Sequence, residues 1–184
     1  ANYLQFNASI NNETEDFTGI TGAGGTAVTI FAVHREMRSW LLRTYPSNKP
    51  IFLHQSAALI DGVLQYSKNR NDSPLYIYID RFKLHIIYCK GGKLLHYNQF
   101  AIRQFSDYIH IIMLAMNLLG LDQKTGKVVM WGYIGKNSPH YREFYKYINN
   151  VTFGDRPRHL HFGYMFDEIQ DHHFFDLYSM NLIG

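Results

Sequence analysis

The first third of the chain alternates between apolar runs and polar segments. Residues 26–33, TAVTIFAV, form a β-branched apolar run that predicts a buried strand, and the polar, glycine-rich residues 11–25 before it predict a mobile loop. Apolar residues recur at helical spacing in residues 34–45, where Pro46 ends the helix, and again in residues 56–69. Two short strands complete this part of the prediction, at residues 3–6 and 50–54.

The middle of the chain has the pattern of an antiparallel meander. Its first corner carries Asp80 and its second carries Gly91 and Gly92. The Gly-Gly pair supplies the positive φ angles that a two-residue hairpin turn needs. Three runs rich in β-branched and aromatic residues are the predicted strands, at residues 75–79, 83–89 and 93–100.

Helices and strands alternate again after the meander. The predicted elements are a buried helix, a core strand, a second helix and a short last strand, at residues 107–120, 127–135, 138–150 and 151–153. Helix starts are predicted from side chains that accept hydrogen bonds from free backbone N–H groups. Ser56 and Ser138 are predicted N-caps, and either Ser106 or Asp107 caps the buried helix.

The order of elements indicates an α/β fold with mixed sheets flanked by helices. Strands alternate with helices throughout, and the meander adds antiparallel pairs to an otherwise parallel arrangement. The polar, proline-ended residues 68–74 are the predicted boundary between two lobes, residues 1–70 and residues 71–184. Because the chain has no initiator Met, we expect the first lobe to be partial and truncated at its N-terminus.

Composition narrows the possible functions. Eighteen basic and fifteen acidic residues are spread along the chain and give a net charge of +3, which argues against a nucleic-acid partner. Cys89 is the only cysteine, so no internal disulfide is expected. No signal peptide and no apolar run of ~20 residues are visible, so we expect a cytoplasmic protein without a membrane span.

The C-terminal tail is rich in aromatic residues and histidine. Its histidines, with nearby aspartates, are the ligand types that zinc prefers, but no HExxH pattern and no cysteine partner accompany them. We therefore predict packed or solvated histidines and no metal. The four histidines are His159, His161, His172 and His173. The aromatic residues fit either a tail that packs on its own domain or a surface for a partner.

Three segments carry a resemblance to a known family. FLHQSAALIDGVL (52–64), GKLLHYNQF (92–100) with the helix after it, and the ending HHFFDLYSMNLIG (172–184) resemble an uncharacterised bacterial domain family. That family has an actin-like ATPase (ribonuclease H-like) fold and is distantly similar to pilus-assembly ATPase-like proteins. The resemblance covers nearly the whole chain from about residue 26. It implies a two-lobed fold and leaves activity open, because the role of the family is unknown.

The resemblance also implies where a phosphate site would lie. Active members carry an Asp-X-Gly corner in each lobe; its glycine lets backbone N–H groups approach phosphate, and its aspartate manages Mg²⁺ and water. Here the corner reads Asp80-Arg81-Phe82, with a bulky ring at the glycine position. We therefore expect a degenerate pseudo-ATPase without enzymatic activity or cofactor. Such a domain would serve as a protein-interaction or scaffold module, and its oligomeric state stays open.

The alternative is an ATP-binding protein or slow ATPase. Gly132 and Gly135 bracket a strand-to-helix turn where actin-like proteins place glycines against adenosine. Under this hypothesis Asp80 lies near Mg²⁺, and the two glycines lie near the adenosine of ATP. A turn that simply starts a helix explains the same glycines.

Overall fold

Two sheets of unequal size organise residues 11–183, the part of the chain that the structure, a computed structural model, describes. The smaller sheet is an antiparallel hairpin of β1 (Glu15–Gly22) and β2 (Ala27–His34). The larger sheet has the strand order β5-β4-β3-β6-β7. Its strands are β3 (Leu75–Ile79), β4 (Lys83–Lys90), β5 (Lys93–Ala101), β6 (Lys127–Gly132) and β7 (Asn150–Phe153).

The larger sheet is mixed, as the sequence predicts. β3, β4 and β5 form the antiparallel meander, whereas β3, β6 and β7 run parallel to one another. Gly91 and Gly92 turn the second hairpin with φ angles of 58° and 71°, which residues with a side chain rarely adopt. The predicted mixed α/β architecture is therefore confirmed.

Helices cover both faces of the larger sheet. The helices are α1 (Arg35–Thr44), α2 (Gln55–Ser67), α3 (Phe105–Leu118), α4 (Pro139–Phe144) and α5 (Phe175–Ser179). One face of the sheet packs against α3 and the segment around α4, and the other packs against α2 and α5. Single turns of 3₁₀-helix occur at Ala23–Gly25, Tyr164–Phe166 and Met180–Leu182.

Alternation along β3 divides the core into two layers. Leu75 and Ile77 point to the α3 side, where Ile112 and Met116 meet them. Tyr76 and Tyr78 point to the α2 side. All five residues of β3 are buried, as expected for the central strand of a sheet covered on both faces.

Trp131 is the centre of the layer beneath α2. Its ring stacks on Phe175 of α5 at 4.2 Å between centroids and meets the edge of Tyr66 at 4.9 Å. Its indole Nε1 donates to the carbonyl of Asp155 at 3.0 Å. These contacts fasten the C-terminal tail to the sheet, because Phe175 and Asp155 both belong to it.

Polar side chains cap several helices, but some of the N-cap residues differ from the predicted ones. The prediction of Ser138 is confirmed, since its hydroxyl accepts from the Tyr141 amide at 3.0 Å. The prediction of Ser56 is wrong: the helix begins one residue earlier, and Nδ1 of His54 accepts from the Ser56 amide. The prediction of Ser106 or Asp107 is also wrong: Gln104 is the N-cap of α3, and Asp107 completes a capping box from the third helical position.

The first third of the chain departs most from expectation. The loop predicted over residues 11–25 contains β1, which exists because it pairs along its whole length with β2. In β2 only Phe31 and Val33 are buried, so this strand is half-exposed instead of buried. Residues 50–54 form no strand, and the strand predicted at residues 3–6 lies outside the described residues.

The position of α2 bears on the predicted lobes. Leu59 and Val63 of α2 are fully buried against the larger sheet, although α2 precedes the polar residues 68–74. The division into residues 1–70 and 71–184 stays a prediction. None of the helices between residues 11 and 183 is long and apolar enough to cross a membrane.

We predict that Trp131→Ala destabilises the fold by about 3–5 kcal/mol, because the change removes a buried ring and opens a cavity. Urea unfolding followed by circular dichroism measures this loss. Trp40→Ala is the matched control, since Trp40 is 56% exposed on α1, and it should change the free energy of unfolding by less than about 0.5 kcal/mol. Equal effects of the two substitutions would contradict the packing described here.

Candidate functional site

The corner between β3 and β4 is formed by Asp80, Arg81 and Phe82. The Asp80 amide donates to the Lys83 carbonyl at 2.9 Å, and the Arg81 amide donates to Oδ1 of Asp80 at 2.7 Å. Two backbone N–H groups that could donate to a phosphate therefore already donate hydrogen bonds within the turn. The ring of Phe82 is 73% exposed, so packing does not explain a phenyl group at this position.

Asp80 and Gly132 lie at the same edge of the larger sheet. Ile79 and Gly132 are partners in the parallel pair of β3 and β6, so the residues that follow each strand emerge side by side. The Tyr133 amide donates to the Ile79 carbonyl at 2.8 Å and joins the two strand ends. In open α/β sheets, ligands bind beyond the carboxyl ends of parallel strands. The fold thus brings Asp80 to a place suited to binding.

Gly132 and Gly135 differ in the space that their surroundings leave for a side chain. Gly132 has a φ of 104°, and a Cβ there would lie 2.0 Å from the Ile79 carbonyl oxygen. A Cβ on Gly135 would meet its nearest neighbour, the Cβ of Ser138, at 4.0 Å. Close approach of two strands therefore requires Gly132, whereas Gly135 has room for a side chain.

A cavity of about 430 Å³ opens between the corner and the starts of α3 and α4. We call it the corner cavity. Its apolar floor is made of Ile79, Ile102, Ile134 and Tyr108. Its rim carries Asp80, Arg81, Phe82, Arg103, Gln104, Phe105, Tyr133 and His140. The corner cavity includes Asp80, but not Gly132 or Gly135, and Gly135 lines a separate depression next to Asp171. The three residues predicted to bind nucleotide therefore share one end of the sheet without sharing one cavity.

Hydrogen bonds and ring contacts hold the walls of the corner cavity. The Tyr108 hydroxyl donates to the Asp80 carbonyl at 3.0 Å, and burial raises the pKa of this phenol. Phe105 stacks on His140 with 4.2 Å between ring centroids. Oδ2 of Asp107 accepts from the backbone amides of Arg103 and Gln104, and these hydrogen bonds lower the pKa of Asp107.

Sequence reasoning missed the structural role of His172. Its Nε2 donates to the Ile134 carbonyl at 2.7 Å, and its own carbonyl accepts from the Gly132 amide at 2.8 Å. The ring is fully buried against Phe153, so burial lowers its pKa to about 4. His172 thus holds the turn after β6 in place through these two hydrogen bonds. Among residues 11–183, no three or more His, Cys, Asp or Glu side chains are grouped to hold a metal ion.

A polar network on the opposite face fastens α5. Asp176 accepts from the Tyr78 hydroxyl at 2.6 Å and from the side-chain nitrogen Nε2 of Gln55 at 2.9 Å. Nearby, Nδ1 of buried His85 lies 2.9 Å from the Tyr97 hydroxyl, and burial lowers the pKa of His85 to about 4. The network joins α2, β3 and the tail, and it lies away from the corner cavity. We assign it a structural role.

The sequence matches a known family model over most of its length. The model of DUF3822, a protein family of unknown function, covers residues 1–151. This chain belongs to the DUF3822 family. No curated protein matches the chain. The tail from residue 152, which contains His172 and α5, lies beyond the part of this DUF3822 protein that the model covers.

A crystal structure from Bacteroides thetaiotaomicron shares the fold of this DUF3822 member. It is described as a protein with an actin-like ATPase fold and unknown function. The TM-score is 0.71 at 22% sequence identity, and the alignment covers 83% of this chain and 59% of that chain. This chain therefore has the actin-like ATPase fold and spans about three fifths of the length of that structure. The similarity to pilus-assembly proteins stays a prediction.

We predict that Gly132→Ala lowers the free energy of unfolding by at least about 2 kcal/mol, because the new methyl group collides with Ile79 and φ becomes strained. Gly135→Ala is the control and should cost less than about 1 kcal/mol. Thermal unfolding of both variants, without nucleotide, measures the difference. A Gly132→Ala protein as stable as Gly135→Ala would refute the close approach of β6 to β3.

We predict that stability falls on acidification through His172. The unfolded chain protonates this imidazole near pH 6.5, whereas the folded chain resists until about pH 4, so the unfolded state binds more protons between these values. The free energy of unfolding should lose about 2 kcal/mol through this group from about pH 7.5 to about pH 5. Urea titrations at both pH values should show a smaller loss for His172→Gln. Exposed His110→Gln should keep the full loss, and a His172→Gln protein with the unchanged loss would contradict this prediction.

Proposed function

We propose that this chain is a non-enzymatic, pseudo-ATPase form of the actin-like fold that acts as a protein-interaction or scaffold module. The observation that carries the proposal is the corner Asp80-Arg81-Phe82. An actin-like phosphate site needs backbone N–H groups that are free and closely approachable. Here the amides of Asp80 and Arg81 are bonded within the turn, and the exposed residue Phe82 stands where the resemblance implies a glycine.

Uncovered apolar residues near the start of the chain support a protein partner. Val28 and Ile30 lie two residues apart on β2, so they share one face of the hairpin, and they are 61% and 39% exposed. On α1, Met37 and Trp40 are 48% and 56% exposed. Exposed apolar side chains that lie together on a surface are typical of sites for protein partners. We include in the proposal a cytoplasmic location and the two lobes that meet near residue 70.

The second candidate is an ATP-binding protein or slow ATPase. It is favoured by the position of Asp80 beside the strand end that carries Gly132. In that case Asp80 would hold Mg²⁺, and ATP would lie beyond the carboxyl ends of β3 and β6. The occupied amides at the corner weigh against this candidate.

We predict no saturable binding of ATP with Mg²⁺ at concentrations up to about 2 mM, a range in which even weak sites give measurable heat. Isothermal titration calorimetry is the measurement. Mg²⁺-dependent binding that disappears in Asp80→Asn but persists in Asp167→Asn, where the exposed carboxylate lies in the neighbouring depression, would overturn the proposal. It would establish the second candidate.

We predict that the full-length protein contacts a partner through the hairpin and α1. A photo-crosslinking amino acid at Val28 or Trp40, expressed in the native cells, should capture the same protein from both positions, because exposed apolar side chains favour burial at an interface. The same group at exposed Lys124 should capture nothing specific. Absence of a shared product from Val28 and Trp40 would count against a protein-interaction role.

A further inference from the structure

We propose that the corner cavity binds the carboxyl-terminal residue of a protein partner. The apolar side chain of that residue enters the cavity, and its α-carboxylate lies at the rim near Arg81 and Arg103. This proposal rests on the proposed protein-interaction function and names the chemistry of one contact. It follows from the apolar floor of the cavity, the charge of its rim and the aromatic residues at its opening.

The floor of the corner cavity is suited to an apolar side chain. Ile79, Ile102 and Ile134 expose only small fractions of their surface, and they come from the ends of three different segments of the chain. The Phe105–His140 stack and the Tyr108–Asp80 hydrogen bond fix the surrounding wall. A preformed apolar site of this kind loses little conformational entropy when an aliphatic or aromatic group enters it.

The rim of the corner cavity favours an anion. Arg81 and Arg103 are exposed, and neither forms an ion pair within residues 11–183. Of the two carboxylates nearby, Asp80 lines the cavity, and Asp107 lies outside the lining, where it accepts from the backbone amides of Arg103 and Gln104. The lining itself therefore carries two guanidinium groups and one carboxylate, a net charge of +1.

The lining of the cavity favours one amino-acid residue over a nucleotide. Its volume of about 430 Å³ lies within the range of roughly 300–1,000 Å³ for ligand sites. Phe82 and Tyr133, which are 73% and 48% exposed, flank the opening and offer ring faces to a peptide. A nucleoside triphosphate would instead need free amides for several phosphate oxygens.

A chain terminus combines the two required features within one residue. The α-carboxylate is attached to the same Cα as the side chain, so an anion and an apolar group arrive together over a short span. Arginine binds carboxylate through paired N–H donors, which gives direction as well as attraction. An internal acidic residue would have to bring its anion from a separate side chain.

The test uses fluorescence anisotropy with a labelled tetrapeptide that ends in Phe and carries a free carboxylate. We expect saturable binding, and we expect amidation of the terminus or replacement of the last Phe by Gly to weaken it about tenfold, the effect of losing one charge-assisted or one apolar contact. Equal binding of the acid and the amide, or no binding at all, would overturn the proposal.

Charge-loss variants locate the contact on the protein. Arg81→Gln and Arg103→Gln should each weaken the tetrapeptide about fivefold, and high salt should reduce the difference. Arg142→Gln is the matched control, because Arg142 lies on α4 outside the cavity lining, and it should bind as the native protein does. If Arg142→Gln lowers the affinity for the tetrapeptide as much as Arg103→Gln does, the attraction is nonspecific and the assignment of the site is wrong.

Three further outcomes separate this proposal from the proposed function. Binding of 3-phenylpropanoate as tight as that of the tetrapeptide would assign the cavity to a small free acid instead of a protein terminus. Crosslinking from Val28 and Trp40 without any tetrapeptide binding would leave the interaction function intact and reject this site. Saturable ATP binding that competes with the tetrapeptide would reject both the carboxyl-terminal peptide site and the proposed pseudo-ATPase function.

Discussion

The close approach of β6 to β3 at Gly132 is the constraint on which the rest of the structure depends. At this point the Tyr133 amide bonds to Ile79, and the Gly132 amide bonds to His172 of the tail. Only a residue without a side chain allows both contacts, because a Cβ would overlap the Ile79 carbonyl. The arrangement places the Asp80 corner beside the turn after β6, and it creates the edge at which the corner cavity opens.

The tail completes this edge from the opposite side of the sheet. Phe175 stacks on Trp131, Asp176 binds Tyr78, and His172 supports the backbone of Ile134. The tail lies beyond the part of the chain that the DUF3822 model covers, yet it contributes buried rings and hydrogen bonds to the central strands. The geometry of the candidate site therefore depends on a segment that a family comparison alone would leave out.

The corner is separate from the packing that stabilises the fold. The stability of the sheet resides in the two apolar layers around β3, which do not involve Phe82. An exposed aromatic residue at the corner, Phe82, therefore disturbs neither layer. Under the proposed function, the corner cavity binds a peptide end instead of a triphosphate. This separation of fold from site supports an interaction role.

The sequence by itself determined the elements of the larger sheet, because apolar periodicity and turn glycines are local signals. It also identified the Asp80-Arg81-Phe82 corner, because these three residues are adjacent in the chain and lie between two predicted strands. Only the tertiary structure decided that polar β1 is a strand, since its stability comes from pairing with β2. It also decided which residues meet at the site. Arg103 and His172 reach the Asp80 edge from distant positions, and no local pattern encodes contacts made by chain reversal and packing.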